Sequence, residues 1–433
     1  MRYSIIGSSV EQVEGAGGKA VKDAGATGII FAELEPAGAA HLQSLGARVK
    51  PVGEVKTDIV SDPVMPPAPI PVEEGYLPLD LLAAIGFTDQ WRYVTEPPLY
   101  GEGFGIAILD SGVRLTHELV NGRVVYSKNF TASPSGDGFN HGTGVAAIAA
   151  AIAPQCDIID IKVIGDDGLG TDEAVIMGIS EVISLRENSE DIFPYVINLS
   201  LGKEDDGDPF DPLRVACRTA IDKGIFVTAA AGNFGPQAGS VMSPASERYV
   251  AAAGSIAISY DSGDTGASFM ISDFSSRGPT REGLIKPDFV LPGERIIMAD
   301  GRSDSATFVK SGTSFAAPFG AAMLVLQAEG TMKQARLRLE QWPALPQAWV
   351  PVTPAELIDK WAPLITVKPA GAPRGKDVEY GWGIPYGELA ALAITGGLPS
   401  AVTGDIAAML TPVLGIGVMG MLLSAMTKAV RRQ

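Results

Sequence analysis

Histidine is scarce in this chain: His41, His117 and His141 are the only three among 433 residues. Any chemistry that needs a base working near neutral pH therefore has three places to come from. Cysteine is scarcer still. Cys156 and Cys217 are too few for a disulfide framework and cannot build a structural zinc site without histidine help. Both lie in apolar runs, which favours buried free thiols, with one disulfide left open. Basic residues are also short, 33 Lys and Arg against 50 Asp and Glu for a net charge of -17. That balance argues against the broad basic face on which nucleic-acid binding depends. The opening MRYSIIGSSVEQVEG has one early arginine but no apolar stretch of signal-peptide length.

What is present suits a folded, loop-rich protein: 46% hydrophobic and 19% charged residues, with 51 Gly and 31 Pro. Residues 1–52 read as a βαβαβ unit, with strands at 3–6, 28–32 and 48–52 and helices at 10–24 and 36–45. Pro63, Pro66, Pro67, Pro69 and Pro71 then crowd a stretch that favours an extended connector, so 53–75 is taken as a linker. From 76 to 395 short apolar runs at 104–109, 158–164, 196–201 and 225–230 alternate with helical periods at 143–153, 171–186 and 213–223. Near-continuous apolar strands alternating with helices predict an α/β fold, a doubly wound and mainly parallel sheet with helices on both faces. The last segment, 396–433, carries an uncharged run from Ile406 to Met426 followed by Lys428, Arg431 and Arg432. Its length and its basic flank predict a transmembrane helix with a cytoplasmic C-terminus. A buried or partner-binding apolar helix is the alternative.

Four residues stand where chemistry would need them. Asp110 ends the apolar run 105–109 and precedes Ser111-Gly112, placing it at a strand's carboxyl end, where open α/β sheets build their sites. His141 opens His141-Gly-Thr-Gly-Val-Ala146, whose small residues let a helix start close to neighbouring backbone. Ser314, in Ser311-Gly-Thr-Ser314-Phe-Ala-Ala-Pro318, precedes a long apolar helix, where unpaired N–H groups favour developing negative charge. Asn233 follows a buried strand, and its amide could donate to an oxyanion. Each has a plain alternative as a turn or helix cap; the combination is the specific signal.

Chain order separates the hydrolase architectures. An α/β-hydrolase needs a histidine after its nucleophile, and none follows His141. A zinc peptidase needs a second histidine at helical spacing from His117-Glu118, and there is none. The order Asp110, His141, Ser314 is the subtilisin order.

Eight segments together resemble the subtilisin-like serine protease family across about residues 76–395: Ile108-Leu-Asp-Ser-Gly112, His141-Gly-Thr, Asn198-Leu-Ser-Leu-Gly202, Ala230-Ala-Gly-Asn233, Phe274-Ser-Ser-Arg-Gly-Pro279, Lys286-Pro-Asp, Leu291-Pro-Gly293 and Gly312-Thr-Ser-Phe-Ala-Ala-Pro318. Tyr380-Gly-Trp-Gly383 is similar to the stretch that closes such catalytic domains. The resemblance implies peptide-bond hydrolysis through an acyl-enzyme, with Ser314 attacking, His141 moving the proton, Asp110 orienting His141 and Asn233 helping to hold the oxyanion. It further implies polypeptide substrates running along Ser200, Leu201 and Gly202, with Gly232 and Phe234 near the pocket for the residue before the scissile bond and an apolar preference there. Gly144, Phe315 and Phe319 depart from the family's usual residues and are read as packing differences.

The size of the 1–52 unit resembles a family propeptide, which implies a removable intramolecular inhibitor and self-cleavage within 50–78. No cofactor is implied for the chemistry; structural calcium is allowed with no ligands assigned, and the acidic stretches Asp166-Asp167 and Asp205-Asp-Gly-Asp208 are read as solvated loops. A cell-surface or extracellular, membrane-anchored enzyme follows from the tail, and an intracellular one from the unseen signal. Two other functional readings stay open: a catalytically silent scaffold on the same fold, and a hydrolase of esters or other acyl groups.

Overall fold

The computed structural model describes residues 1–57, 75–87, 98–260, 267–341, 366–369 and 372–385. The N-terminal unit runs β1 (Arg2–Ile6), α1 (Val10–Gly15), β2 (Lys19–Asp23), β3 (Ile29–Glu33), α2 (Pro36–Ser44) and β4 (Arg48–Pro51), with the strands in one antiparallel sheet of order β2-β3-β1-β4. The helix predicted over 10–24 is corrected here. It is well started, because Ser9 accepts from the Gln12 N–H while the Gln12 side chain accepts from the Ser9 N–H. It stops at Gly15 because Gly17 takes a left-handed φ of 82° and a Cβ on Gly18 would sit 2.6 Å from the Val13 carbonyl oxygen. The remaining residues, Lys19–Asp23, pair with β3 instead.

This unit has two apolar faces. Ile5, Val13, Ile30 and Leu42 form its own core. Ala24, Ile29 and Phe31 join a larger core belonging to the main domain. Ion pairs frame that contact: Arg2 and Lys22 reach Glu173 at 2.7 and 2.8 Å, and Lys50 reaches Asp206 and Asp208 at 2.8 and 2.6 Å. The Asp205–Asp208 stretch is thus a docking partner as well as a solvated loop.

Beyond β4 the predicted connector begins with a strand, β5 (Glu54–Lys56). Helix α3 (Pro78–Ala84) follows residues 58–74, which lie outside the described residues.

The predicted apolar runs form the sheet at the centre of the molecule. Its strands are β6 (Gly105–Asp110), β7 (Val124–Asn129), β8 (Asp157–Lys162), β10 (Pro194–Leu199), β11 (Phe226–Ala230), β12 (Ala251–Tyr260), β13 (Ala267–Ile271) and β14 (Phe289–Pro292), and the short β9 (Leu169–Thr171) lies outside it. The order is β13-β12-β11-β10-β6-β8-β7 with β14 beside β12, and only the β12–β13 pair is antiparallel. Every residue of β6, β10 and β11 is buried, as strands covered on both faces must be. Helices α4 (Gly142–Ile152) and α7 (Thr313–Gln341) cover one face. Helices α5 (Asp172–Asn188) and α6 (Pro212–Asp222) cover the other. The doubly wound, mainly parallel architecture is the one predicted.

A hairpin of β15 (Ile296–Ala299) and β16 (Thr307–Lys310) leads into α7. The chain then returns as β17 (Thr366–Val367) and β18 (Ile384–Pro385). The Tyr380–Gly383 motif closes onto β14: Trp382 N–H donates to the Asp288 carbonyl at 2.9 Å, and a Cβ on Gly381 would lie 2.4 Å from that same oxygen. Among the described residues no helix is long and apolar enough to cross a membrane, and the predicted span 406–426 lies outside them.

Candidate active site

Asp110 is the last residue of β6, at the carboxyl end of the sheet. His141 is the residue before α4, and its carbonyl accepts the first helical bond from Val145 N–H at 3.1 Å. The two meet with His141 Nδ1 2.7 Å from Asp110 Oδ1, both side chains fully buried. A carboxylate only accepts, so Nδ1 carries the proton and Nε2 presents a lone pair. Asp110 Oδ1 also accepts from Ser111 N–H at 2.7 Å, while Oδ2 and His141 Nε2 are buried with no hydrogen-bond partner among the described residues.

Ser314 occupies the second residue of α7, where the helix presents unpaired N–H groups. Its hydroxyl donates to the Ser200 carbonyl at 3.3 Å and not to His141. Four residues on, Pro318 lies inside the helix and has no N–H to give to the Ser314 carbonyl. Ser200 Oγ donates to that carbonyl at 2.6 Å in its place, and Asn198 Nδ2 donates to Ser200 Oγ at 2.9 Å. Leaving such a buried carbonyl unsatisfied costs about 1–3 kcal/mol, so Ser200, just past the end of β10, holds the Ser314 backbone.

Asn233 is fixed by Thr313, whose N–H and hydroxyl both donate to its Oδ1 at 2.9 and 3.0 Å. That assignment makes Nδ2 the donor on the amide's other side. A Cβ on Gly312 would stand 3.4 Å from Nδ2, so glycine keeps this space open beside Ser314. Gly232, at φ 110°, precedes it with its N–H on Thr313 Oγ1 at 3.2 Å.

Of the other residues predicted to bind substrate, Leu201 is wholly buried and Phe234 is 57% exposed. Gly202 is already engaged: its N–H and carbonyl pair with Lys56 of β5 at 2.8 and 2.9 Å. β5 also runs antiparallel to β9, with Lys56 opposite Leu169.

Asp137 and Met242, both nearby, escaped the sequence reading, and Phe315 entered it only as a packing difference. Asp137 is buried and collects five donors around the start of α4; a carboxylate four residues before a histidine that opens a helix was the available signal. Phe315 is more than a packing difference, because its ring centroid lies 5.2 Å from that of His141 and ties α7 to the imidazole. Met242 stands between the pocket glycines: a Cβ on Gly232 would meet its Cγ at 2.8 Å, and one on Gly202 would meet its Cε at 3.3 Å. Nothing in the local sequence marks that placement.

The remaining titratable candidates serve structure. His117 is buried, accepts from Leu119 N–H at Nδ1 and donates from Nε2 to the Ala306 carbonyl. His41 is exposed in the N-terminal unit. Cys156 and Cys217 are free and buried, and burial pushes both thiols up, that of Cys156 to about 12. Among the described residues no cluster of three or more His, Cys, Asp or Glu side chains is placed to hold a metal.

Comparison with known proteins bears on the family. The model of the subtilase family matches residues 101–383, more than half of the chain. Serine protease AprX of Bacillus subtilis (strain 168) is 32% identical over 262 residues, which cover 53% of this chain and 58% of that protein. Subtilisin-like protease 5 of Arthroderma otae is 35% identical over 248 residues, covering 56% and 57%. The chain thus spans less than two thirds of the length of these curated relatives. Among solved structures, the S41 psychrophilic protease aligns with a TM-score of 0.52 at 25% identity, over 66% of this chain and 92% of that one. Sphericase aligns with the same TM-score and coverage at 23% identity, a likeness of fold alone. The sheet order, the Asp110–His141 pair and the match over 101–383 lead to one assignment: the chain belongs to the subtilase family.

Proposed function

We propose that the chain is a serine endopeptidase made as a self-processed zymogen. The observation that carries this reading is the buried 2.7 Å Asp110–His141 bond, with Phe315 bringing the Ser314 turn against the imidazole. In the working enzyme Ser314 Oγ leaves the Ser200 carbonyl, turns about χ1 to His141 Nε2 and attacks the substrate carbonyl carbon while Nε2 takes its proton. Asn233 Nδ2 and the Ser314 N–H donate to the oxyanion. His141 then protonates the leaving amine, and water releases the acyl group by the same steps in reverse order of roles.

Labelling with a fluorophosphonate, lost in Ser314→Ala, tests the nucleophile, and cleavage of a denatured protein tests the substrate class. No labelling favours the silent scaffold; labelling without protein cleavage favours an ester hydrolase. Asn233→Ala is expected to lower kcat about 10²–10³-fold with little change in KM, since the lost donor acts on charge present only in the transition state. A KM effect alone would remove Asn233 from the oxyanion site.

Met242 supports a narrower specificity than a generally apolar one. Met242 packs against both Gly202 and Gly232, so on this reading its side chain fills the space between them and favours small residues before the scissile bond. Met242→Gly is expected to raise kcat/KM for a tetrapeptide anilide with Phe at that position, relative to its Ala counterpart, by at least about 10-fold, the scale of adding room for a few methylenes. An unchanged ratio counts against this reading of Met242.

The zymogen reading draws support from β5, which pairs with both β9 and Gly202 as an extended substrate would. Self-cleavage falls within 50–78; a Ser314→Ala protein that is still cut there without other proteases overturns it. Docking of the N-terminal unit is expected to depend on pH. Burial alone would raise the carboxyls of Glu173, Asp206 and Asp208, but hydrogen bonds from Arg2, Lys22 and Lys50 hold all three below their usual values of 4.5 and 3.8. Groups depressed in the docked state stabilise it above their free pKa and lose that contribution as pH falls through the docked values. The cleaved unit should therefore co-elute with the catalytic domain at pH 6 and separate toward pH 3; retention at pH 3 would rule out the ion pairs as the cause.

This reading retains membrane attachment through 406–426, tested by whether a chain ending at Ser400 still needs detergent.

A further inference from the structure

Apart from Asp110, the helix that carries His141 is anchored by a second buried carboxylate, that of Asp137. Its Oδ1 accepts from Ser111 Oγ at 2.7 Å, Asn140 N–H at 2.8 Å and His141 N–H at 3.2 Å. Its Oδ2 accepts from Thr143 N–H at 2.8 Å and Thr143 Oγ1 at 2.7 Å. Ser111 in turn accepts from Gly142 N–H at 2.9 Å. The donors belong to two separate pieces of chain, the turn after Asp110 and the start of α4, so one carboxylate joins the Ser111 hydroxyl, next to Asp110, to the backbone N–H of His141. The hairpin closes over it, since a Cβ on Gly301 would lie 2.7 Å from Oδ2, and Asn140 Oδ1 accepts from Gly301 N–H at 2.6 Å.

We propose that Asp137 is a positioning residue for catalysis: it fixes the Asp110 turn and the His141 helix start in one frame and sets a second buried carboxylate 3.2 Å from the His141 backbone nitrogen. This rests on the serine protease reading of the site. A neutral helix cap would satisfy the same N–H groups, as Ser and Thr do elsewhere. Thr171 caps α5 through its hydroxyl and Asp211 caps α6 from the ordinary cap position, whereas α4 is served by a carboxylate four residues before His141, which makes no side-chain cap bond of its own. Charge placed there favours the imidazolium that forms as Ser314 loses its proton. The other charged groups around Asp137 include Asp166, which pairs with Lys162 Nζ at 2.8 Å and packs against Gly138. Lys162 Nζ donates to the Ser111 and Gly136 carbonyls, Lys310 attracts Asp137 across the hairpin, and Asp160 repels it. Neither lysine is among the groups that hydrogen-bond its carboxylate.

Asp137→Asn, Asp137→Ala and Ser111→Ala in the full, self-processed chain test the inference, with fluorophosphonate labelling rate and peptide kcat and KM followed from pH 5 to 9 and thermal unfolding measured alongside. Asp137→Asn keeps an acceptor for Oδ1's donors and loses the charge, so the acid-limb midpoint should move down by half a pH unit or more, with kcat lower and KM within twofold. Ser111→Ala keeps the charge and cuts the link to the Asp110 turn, so kcat should fall without that movement. If Asp137→Ala does not fold, the other two variants decide. Variants that unfold at lower temperature but keep the wild-type midpoint and kcat at 25 °C overturn the proposal and leave Asp137 a stability cap. A wild-type chain that is not labelled at all instead brings down the protease reading on which it rests.

Discussion

Replacing His141 with alanine is expected to lower turnover of a protein substrate by about a millionfold, the scale known for losing the base or nucleophile of subtilisin itself. The size follows from the absence of a substitute. His117 has both ring nitrogens engaged by Leu119 and Ala306, and His41 is exposed in the N-terminal unit. Neither can reach the Ser314 proton. Ser314→Ala should cost the same, and the double variant should be no worse, because either loss already disables the unit that acts as one. The residual rate comes from substrate positioning and the oxyanion donors. Measuring kcat on one protein substrate for the three variants checks this; a His141→Ala enzyme within tenfold of wild type would move the general base elsewhere.

Much of the fold was legible because buried parallel strands announce themselves. The runs at 104–109, 158–164, 196–201 and 225–230 became β6, β8, β10 and β11, and the helical periods between them became α4, α5 and α6. The sequence order Asp110, His141, Ser314 carried enough information to exclude other hydrolase layouts. What stayed hidden has a common cause: it depends on contacts between distant segments. The helix period at 10–24 gave no warning that the second half would be claimed by β3. Glu54–Lys56 reads as the edge of a proline-rich connector, and only the open edges of β9 and Gly202 make it a strand. Asp137 reads as a loop acid until Ser111, His141 and Thr143 converge on it. Met242 carries no sign in its neighbours that it stands between two glycines, at positions 202 and 232.

Asp110→Ala is expected to lower kcat by about 10⁴-fold, again the subtilisin scale, since it removes both the orienting acceptor and the charge. Asparagine should be gentler here. An Asp→Asn change in a serine protease triad that forces the wrong imidazole tautomer costs about 10⁴ in kcat. In this chain Ser111 N–H and His141 Nδ1 both rest on Oδ1 at 2.7 Å, and Oδ2 has no hydrogen-bond partner among the described residues. An asparagine can leave its oxygen where Oδ1 stands, keep both donors and place Nδ2 where Oδ2 was. The tautomer then survives and only the charge is lost, so Asp110→Asn should retain at least about tenfold more activity than Asp110→Ala. Asp137 still accepts from the His141 N–H at 3.2 Å, so the helix start keeps its second buried carboxylate. Equal losses for the two variants would mean that the amide flips in the working enzyme and that orientation of the His141 ring outweighs charge.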